Sequence, residues 1–358
     1  MNLNKLLFSA LFCATSALAQ FDNLMGPAYN PYGTLGAAPT IADLIAKPSD
    51  IYGHKFIYIA PIDYAGYSAF DLAGGSTFLG FDHSLTLGYA KSSWGLALNL
   101  ALDKLWYSYD ERYYVFEDRE VFAGDNIGLN VSLDFKRFVI YAHTNWLTNE
   151  KYRGILGKES STKNISLGVA GGSKLVWDVA LNFTRTGTME EFKRQVSDDV
   201  VYIYPVFDTL TSIGAQFNLG YKALQNDKAK FIVGLNNNFK WHFKERESMR
   251  LLLWRGEVEK DSDYALSLYI CPNILGEVIL TKHLLAFAGA EHTISFLDGK
   301  GYWEKYELRI RNLETTDSYF GLRYKGESWA LEARLQKNVW QALDGKDPFI
   351  NLGGFIYF

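Results

Sequence analysis

Cysteine is nearly absent. The 358-residue chain holds two, and Cys13 lies in a leader-like N-terminus, so Cys271 stands alone in the remainder. A disulfide-stapled secreted scaffold is excluded. A lone thiol is far more often a small buried hydrophobe than a nucleophile. Charge of one sign is also scarce: the formal net charge is −4, and nothing points to nucleic acid as a partner. No stretch beyond the N-terminus approaches the ~20 apolar residues of a helical membrane span. The six histidines are scattered, without metal-ligand spacing. No G-x-S-x-G motif or phosphate-cradling glycine loop occurs. His83 shares the apolar phase of its strand, and the adjacent Glu291 and His292 point to opposite strand faces. No catalytic residue, metal or cofactor is therefore expected. Helical periodicity is nearly missing as well.

The N-terminus is distinctive. "MNLNKLLFSALFCATSALAQ" has a basic start at Lys5, an apolar core from Leu6 to Phe12, and Ala17-Leu18-Ala19 as an A-x-A cleavage site. This reads as a secretory signal peptide over 1–19. A Pro-, Gly- and Ala-rich segment follows over 20–53, with a short helical possibility at Ile41–Ala46. It could enter the interior of the remaining domain as a plug or lie beneath it as a tail. Residues 54–358 form the main domain.

Period-2 alternation dominates that domain. Odd positions from 77 to 89 carry Leu79, Phe81, Leu85, Leu87 and Tyr89. Trp94, Leu96, Leu98, Leu100 and Leu102 alternate with Gly95, Ala97, Asn99, Ala101 and Asp103. Similar runs recur to the end of the chain. They imply roughly 14 strands of about 9–13 residues, the length of a tilted membrane-crossing strand. Short connections alternate with long ones, including 63–75 and 107–124. The expected fold is all-β: a transmembrane antiparallel β-barrel of about 14 strands, with short periplasmic turns and long extracellular loops. A soluble sandwich would have shorter strands and longer charged side chains on its polar face.

In this reading one face meets lipid and the other a lumen. Asp82, Asp103, Asp134, Arg137, Asp178, Arg185, Lys240, Arg323, Glu332 and Arg334 are candidate lumen charges. They could set selectivity or form salt bridges that rigidify the wall. Glu332 and Arg334, two apart on one strand, are plausible network partners. Trp94, Trp177 and Trp329 fall near the starts of upward strands, and Trp106, Trp146 and Trp241 near their upper ends. Two Trp levels match two interfacial girdles. The loops at 109–122 and 301–312 carry aromatics among charges, including Tyr113, Tyr114, Trp303 and Tyr306. They read as solvated tips or as partner-binding surfaces.

The chain ends "NLGGFIYF", with Leu352, Ile356 and the terminal Phe358 at alternate positions. This resembles the closing strand of bacterial outer-membrane β-barrels, in which such a terminus is read by the barrel-assembly machinery. The resemblance implies export to the outer membrane, with outer-membrane lipid and that machinery as partners. The strand count and the segment before the barrel also resemble the FadL-like fatty-acid transporter group. In that group an early glycine-rich segment leads to an Asn-Pro-Ala motif. Here the corresponding run ends in Lys47-Pro48-Ser49, and no functional residue carries over. The expected function is a porin-like channel or diffusion pore for small solutes. The alternatives are a non-conducting structural or secretion-accessory barrel and a FadL-like transporter of hydrophobic molecules.

Overall fold

The computed structural model describes residues 40–61, 65–81, 84–102, 120–153, 156–197, 200–226, 228–252, 255–299, 307–310, 316–336 and 349–358. Every strand pairs antiparallel with its sequence neighbour, and the first pairs with the last. The early strands are short: β1 (Phe56–Ala60), β2 (Ala65–Leu72), β3 (Gly75–Phe81), β4 (Leu85–Lys91) and β5 (Trp94–Leu102). Longer strands follow: β6 (Glu120–Asp134), β7 (Phe138–Arg153), β8 (Leu156–Gly172), β9 (Leu175–Ser197), β10 (Val200–Gln225), β11 (Ala229–Leu252) and β12 (Arg255–Ile279).

Two strands are interrupted. β13 comprises Leu284–His292 and Ile294–Gly299, both paired with β12. β14 comprises Glu307–Ile310 and Thr316–Lys325, paired with the two parts of β13. β15 (Trp329–Gln336) and β16 (Phe349–Tyr357) complete the sheet. Closure runs through Phe56 opposite Tyr357 and Ile59 opposite Gly354. The result is a closed antiparallel barrel of 16 strands.

The expectation of about 14 strands is corrected by one hairpin. The stretch 77–89 reads as a single strand because Phe81 and Leu85 keep the same phase across 82–84. It is two strands, β3 and β4. The supposed loop 63–75 contains β2, which turns into β3 through Ala73 and Gly74, both at positive φ. The expected first strand at 54–62 is shorter, Phe56–Ala60.

Outward positions are apolar and exposed along most of the wall, among them Leu79, Leu87, Leu129, Ile140, Leu167, Leu181, Phe217, Phe239 and Leu331. A surface of this extent is far larger than the apolar patches soluble monomers tolerate. In lipid it carries no such cost, and the closed ladder leaves few backbone groups to satisfy. Trp94, Trp146, Trp241 and Trp329 are exposed on this outward face. Trp177 shares it, in phase with the exposed Leu175 and Val179. Trp106 lies outside the described residues.

Inward positions carry small and polar residues together with aromatic rings. Some inner glycines exist to receive those rings. The Tyr58 ring lies where a Cβ on Gly353 would stand, the Tyr67 ring over Gly80, and the Tyr141 ring over Gly168. A side chain at any of these glycines would displace a ring from the neighbouring strand.

Candidate functional site: a lumen closed at its turn end

The barrel end with the short turns is filled from within. Phe56 and Tyr58 of β1, Tyr67 of β2, Phe78 of β3, and Phe355 and Tyr357 of β16 all point inward. Tyr58 and Phe355 lie 4.6 Å apart by ring centroid, and Tyr67 and Phe78 5.8 Å. None of the six is more than 6% exposed. Inner-wall side chains of a hydrated pore would touch water; these do not.

Helix α1 (Ile41–Ala46) and the 3-10 turn Pro48–Ile51 extend this packing. A capping box starts α1. Thr40 Oγ1 accepts from the Asp43 amide, and Asp43 Oδ2 accepts from the Thr40 amide at 2.7 Å. Such reciprocal bonds satisfy two helix-end donors, which a six-residue helix needs. Ile41, Leu44 and Ile51 are buried in the aromatic cluster.

The following residues are tied to the inner wall. The backbone of Pro48 and Ser49 lies directly over Gly95, in space any Cβ there would fill. The Ser49 amide donates to Ser132 Oγ at 2.7 Å, and Ser132 Oγ donates to Ser49 Oγ at 2.8 Å. Lys47 reaches β7 and β9. Its ammonium lies 3.6 Å from Asp178 Oδ2 and 5.6 Å from the Tyr141 ring centroid. Tyr141 donates its hydroxyl to Asp178 Oδ1 at 2.5 Å. The Gly53 amide donates to Ser76 Oγ at 3.0 Å. Residues 40–53 thus bridge the inner faces of β3 to β9. The ion pair is the critical contact, because a buried charge that loses its partner costs several kcal/mol.

A second charged group sits on the inner faces of β12 to β15. Arg323 donates from Nε and Nη2 to Glu332 Oε2, at 2.9 and 2.5 Å. Arg334 Nη1 lies 3.6 Å from Glu332 Oε1. The Arg323 guanidinium also stands 5.5 Å from the Phe355 ring centroid and 6.0 Å from that of Phe287. Nearby, Lys230 pairs with Glu277 at 3.5 Å. Arg323, Glu332 and Arg334 are all buried, so they brace the wall and do not line an open channel.

Towards the loop end the inner face changes character. It becomes a polar wall of Asn, Ser, Thr and His, much of it half-buried. Thr86 donates to Asn99 Oδ1 at 2.8 Å, and Thr184 to Asn164 Oδ1 at 3.1 Å. His242 is flanked by Ser212 at 2.7 Å and Ser267 at 3.0 Å. Lys240 lies on this inner face, half-buried.

The other sequence candidates divide. Asp178 faces inward. Asp134 lies at the turn end, where its Oδ1 accepts from the Lys136 amide at 2.5 Å. Arg137 is corrected: it is exposed in the turn between β6 and β7 and is not part of the lumen wall. Arg185 is also corrected: it is exposed in the outward phase of Leu181 and Phe183. Its neighbours Thr184 and Thr186 hide the phase, because apolar residues no longer mark it there. Asp82 and Asp103 lie outside the described residues, as do the loop aromatics at 109–119 and 301–306. Leu352 and Ile356 are exposed outward, and Phe358 follows the end of β16.

Sequence reasoning missed Lys47, Ser132 and Tyr141. Lys47 left one signal, a lone cation in an otherwise charge-poor run. Tyr141 left another, a large ring in the phase of small polar residues.

The chain is a closed antiparallel β-barrel with an apolar outer face. No family model matches it, and no curated protein matches. Solved structures similar to it include the ferric citrate transporter FecA in its unliganded form. That likeness has 10% identity and a TM-score of 0.43, covering 84% of this chain and 48% of that one. The copper transporter OprC shows 8% identity and a TM-score of 0.42, covering 80% and 45%. The translocator domain of the autotransporter NalP from Neisseria meningitidis shows 10% identity and a TM-score of 0.35, covering 87% and 90%. The chain spans about half the length of the two transporters. At these values the likenesses carry no functional weight, and none of the three is a fatty-acid transporter.

Proposed function

We propose that this barrel is a gated passage for small polar solutes across the outer membrane, closed at rest by residues 40–53. The observation that carries this reading is the ion pair between Lys47 and Asp178. It fastens a short segment across the lumen at its turn end. The Asn-rich inner wall beyond it supplies amides and hydroxyls that replace the hydration of a polar solute. The signal-like N-terminus and the outward apolar band support export and residence in the outer membrane. An open, porin-like diffusion pore is disfavoured by the burial of the inner aromatic cluster.

Conductance in planar bilayers tests the proposal. The intact chain should be nearly silent, with brief openings. A variant lacking residues 20–53 should conduct steadily, provided that heat-modifiable gel migration shows a folded barrel. Steady conductance from the intact chain, equal to that of the variant, would sink the gate.

A second reading has its own support. β9 to β12 run 23 to 26 residues, over twice what a bilayer crossing needs. They rise on one side as a tall wall, a surface suited to a partner in a non-conducting barrel. Silence in both forms, with stable co-purification of another envelope protein, would favour this second reading.

A further inference from the structure

The inner wall of β10 to β12 carries a group of polar side chains that the chain leaves without partners. Gln216 of β10, Asn238 of β11 and Tyr269 of β12 are directly opposed in one row. All three share the inward phase of their strands, in step with the buried Ser212, Asn218 and Ser267. Lys240 is two positions from Asn238 on the same face, roughly 7 Å along the strand. None of the four makes a side-chain hydrogen bond or an ion pair among the described residues. Their neighbours differ. Asn236, one inward position below Asn238, donates to Glu291 Oε2 at 2.9 Å. His242, one inward position above Lys240, is held between two serines.

The group borders accessible lumen. Each of the four residues is half-buried, so water reaches it. Beside them the wall is recessed at Gly214, which stands directly opposite Asn182 on one side and Lys240 on the other. The three atoms nearest to a Cβ built on Gly214 belong to Phe239, Lys240 and Asn182, all on the same wall. At Gly95 the corresponding space holds the backbone of Pro48 and Ser49. The group also lies on the loop side of the closure. Asn218, two positions nearer the turn end than Gln216, is directly opposite Asp178, the partner of Lys47.

The four side chains together define a ligand. A carboxamide offers N–H donors and a carbonyl acceptor, the complement of an alcohol that both donates and accepts. Gln216 and Asn238 present two such groups on adjacent strands. The Tyr269 ring adds an apolar face that ends in a hydroxyl. Lys240 adds a compact cation, and no carboxylate among the described residues pairs with it. We propose that Gln216, Asn238, Lys240 and Tyr269 form a binding site for a sugar acid. Its carboxylate pairs with Lys240 Nζ, its hydroxyls bond to the two carboxamides, and its C–H face lies on the Tyr269 ring. The site deepens the passage proposed above by naming the class of solute. It rests on that reading only for onward transport.

Equilibrium dialysis of the intact, detergent-folded chain against labelled glucuronate tests the site without requiring residues 40–53 to move. Saturable glucuronate binding is expected, with glucose bound about tenfold more weakly, the worth of one charge-assisted hydrogen bond. Lys240→Met should abolish that preference, leaving both sugars weakly bound. Tyr269→Ala should weaken glucuronate binding several-fold. Heat-modifiable gel migration checks that both variants are folded. Absence of saturable glucuronate binding to the intact chain overturns the site. Equal binding of glucose and glucuronate overturns the assignment of an acid. A barrel that binds glucuronate yet stays silent in both forms of the conductance experiment refutes the passage and leaves the site standing.

Discussion

Lys47 lies 3.6 Å from Asp178 and stands over the ring of Tyr141, although 131 positions separate the lysine from its carboxylate (178 minus 47). The two side chains are 5% and 1% exposed. Lys47→Ala leaves the Asp178 carboxylate buried, with Tyr141 as its remaining close donor among the described residues. Breaking such a pair typically costs about 3–5 kcal/mol. The expected outcome is a released segment: faster proteolysis within 40–53 and a higher open fraction in planar bilayers. Lys47→Arg, which keeps the charge, should fall between this variant and the parent.

Gly95 offers an independent way to expel the segment. Its inner side is occupied by the Pro48 and Ser49 backbone. Gly95→Leu should displace that backbone while leaving the pairing of β5 with β4 and β6 intact. The barrel should still show heat-modifiable migration. Chymotrypsin added from the turn end should cut after Leu44 faster than in the parent.

The Arg323–Glu332–Arg334 group should govern stability more than passage. Glu332→Gln leaves two buried guanidiniums poorly paired, and an unfolding loss of about 3–5 kcal/mol is expected. Replacing Arg323, Glu332 and Arg334 together by methionine should cost much less, since well-packed apolar replacements of a whole buried charged group are often near neutral. Urea unfolding of the detergent-folded barrel, compared across the single and triple variants, measures the difference.

The seam between β1 and β16 should be sensitive to volume. The Tyr58 ring occupies the inner side of Gly353. Gly353→Val forces that ring away from Phe355, at an expected cost of about 1–3 kcal/mol. Tyr58→Ala, which empties the same space, should partly rescue it. Deletion of Phe358 should instead lower the yield of inserted barrel, leaving assembled molecules unchanged in conductance. Heat-modifiable band intensity separates the two effects.

The barrel itself was legible in the sequence because its faces differ so strongly in polarity. Leu129, Leu167 and Leu181 against Asn130, Ser166 and Asn182 mark phase without ambiguity. The strand count was not legible at 77–89. There Phe81 and Leu85 stay in register with each other across a short connection, so a hairpin and a long strand give the same alternation. Arg185 misled because phase is written by hydrophobicity, which ends where the strands leave the apolar band. The closure of the lumen was the least visible feature. It depends on Lys47 meeting Asp178 and on glycines 80, 168 and 353 receiving rings from other strands, all products of register. A plug and a tail at 20–53 use the same composition.

Locking the segment in place is the most direct test of closure by residues 40–53. Ser49 and Ser132 place their hydroxyl oxygens 2.8 Å apart, a separation that suits a disulfide between cysteines at these positions. In a Cys271→Ser background, Ser49→Cys and Ser132→Cys give a chain that can be fastened by oxidation and freed by reductant. Uptake of a small labelled sugar by proteoliposomes is then followed in both states. In a chain that also carries Lys47→Ala, which frees the segment, uptake should be absent when the chain is oxidised and should appear on reduction. Equal uptake in the two states would contradict the closure.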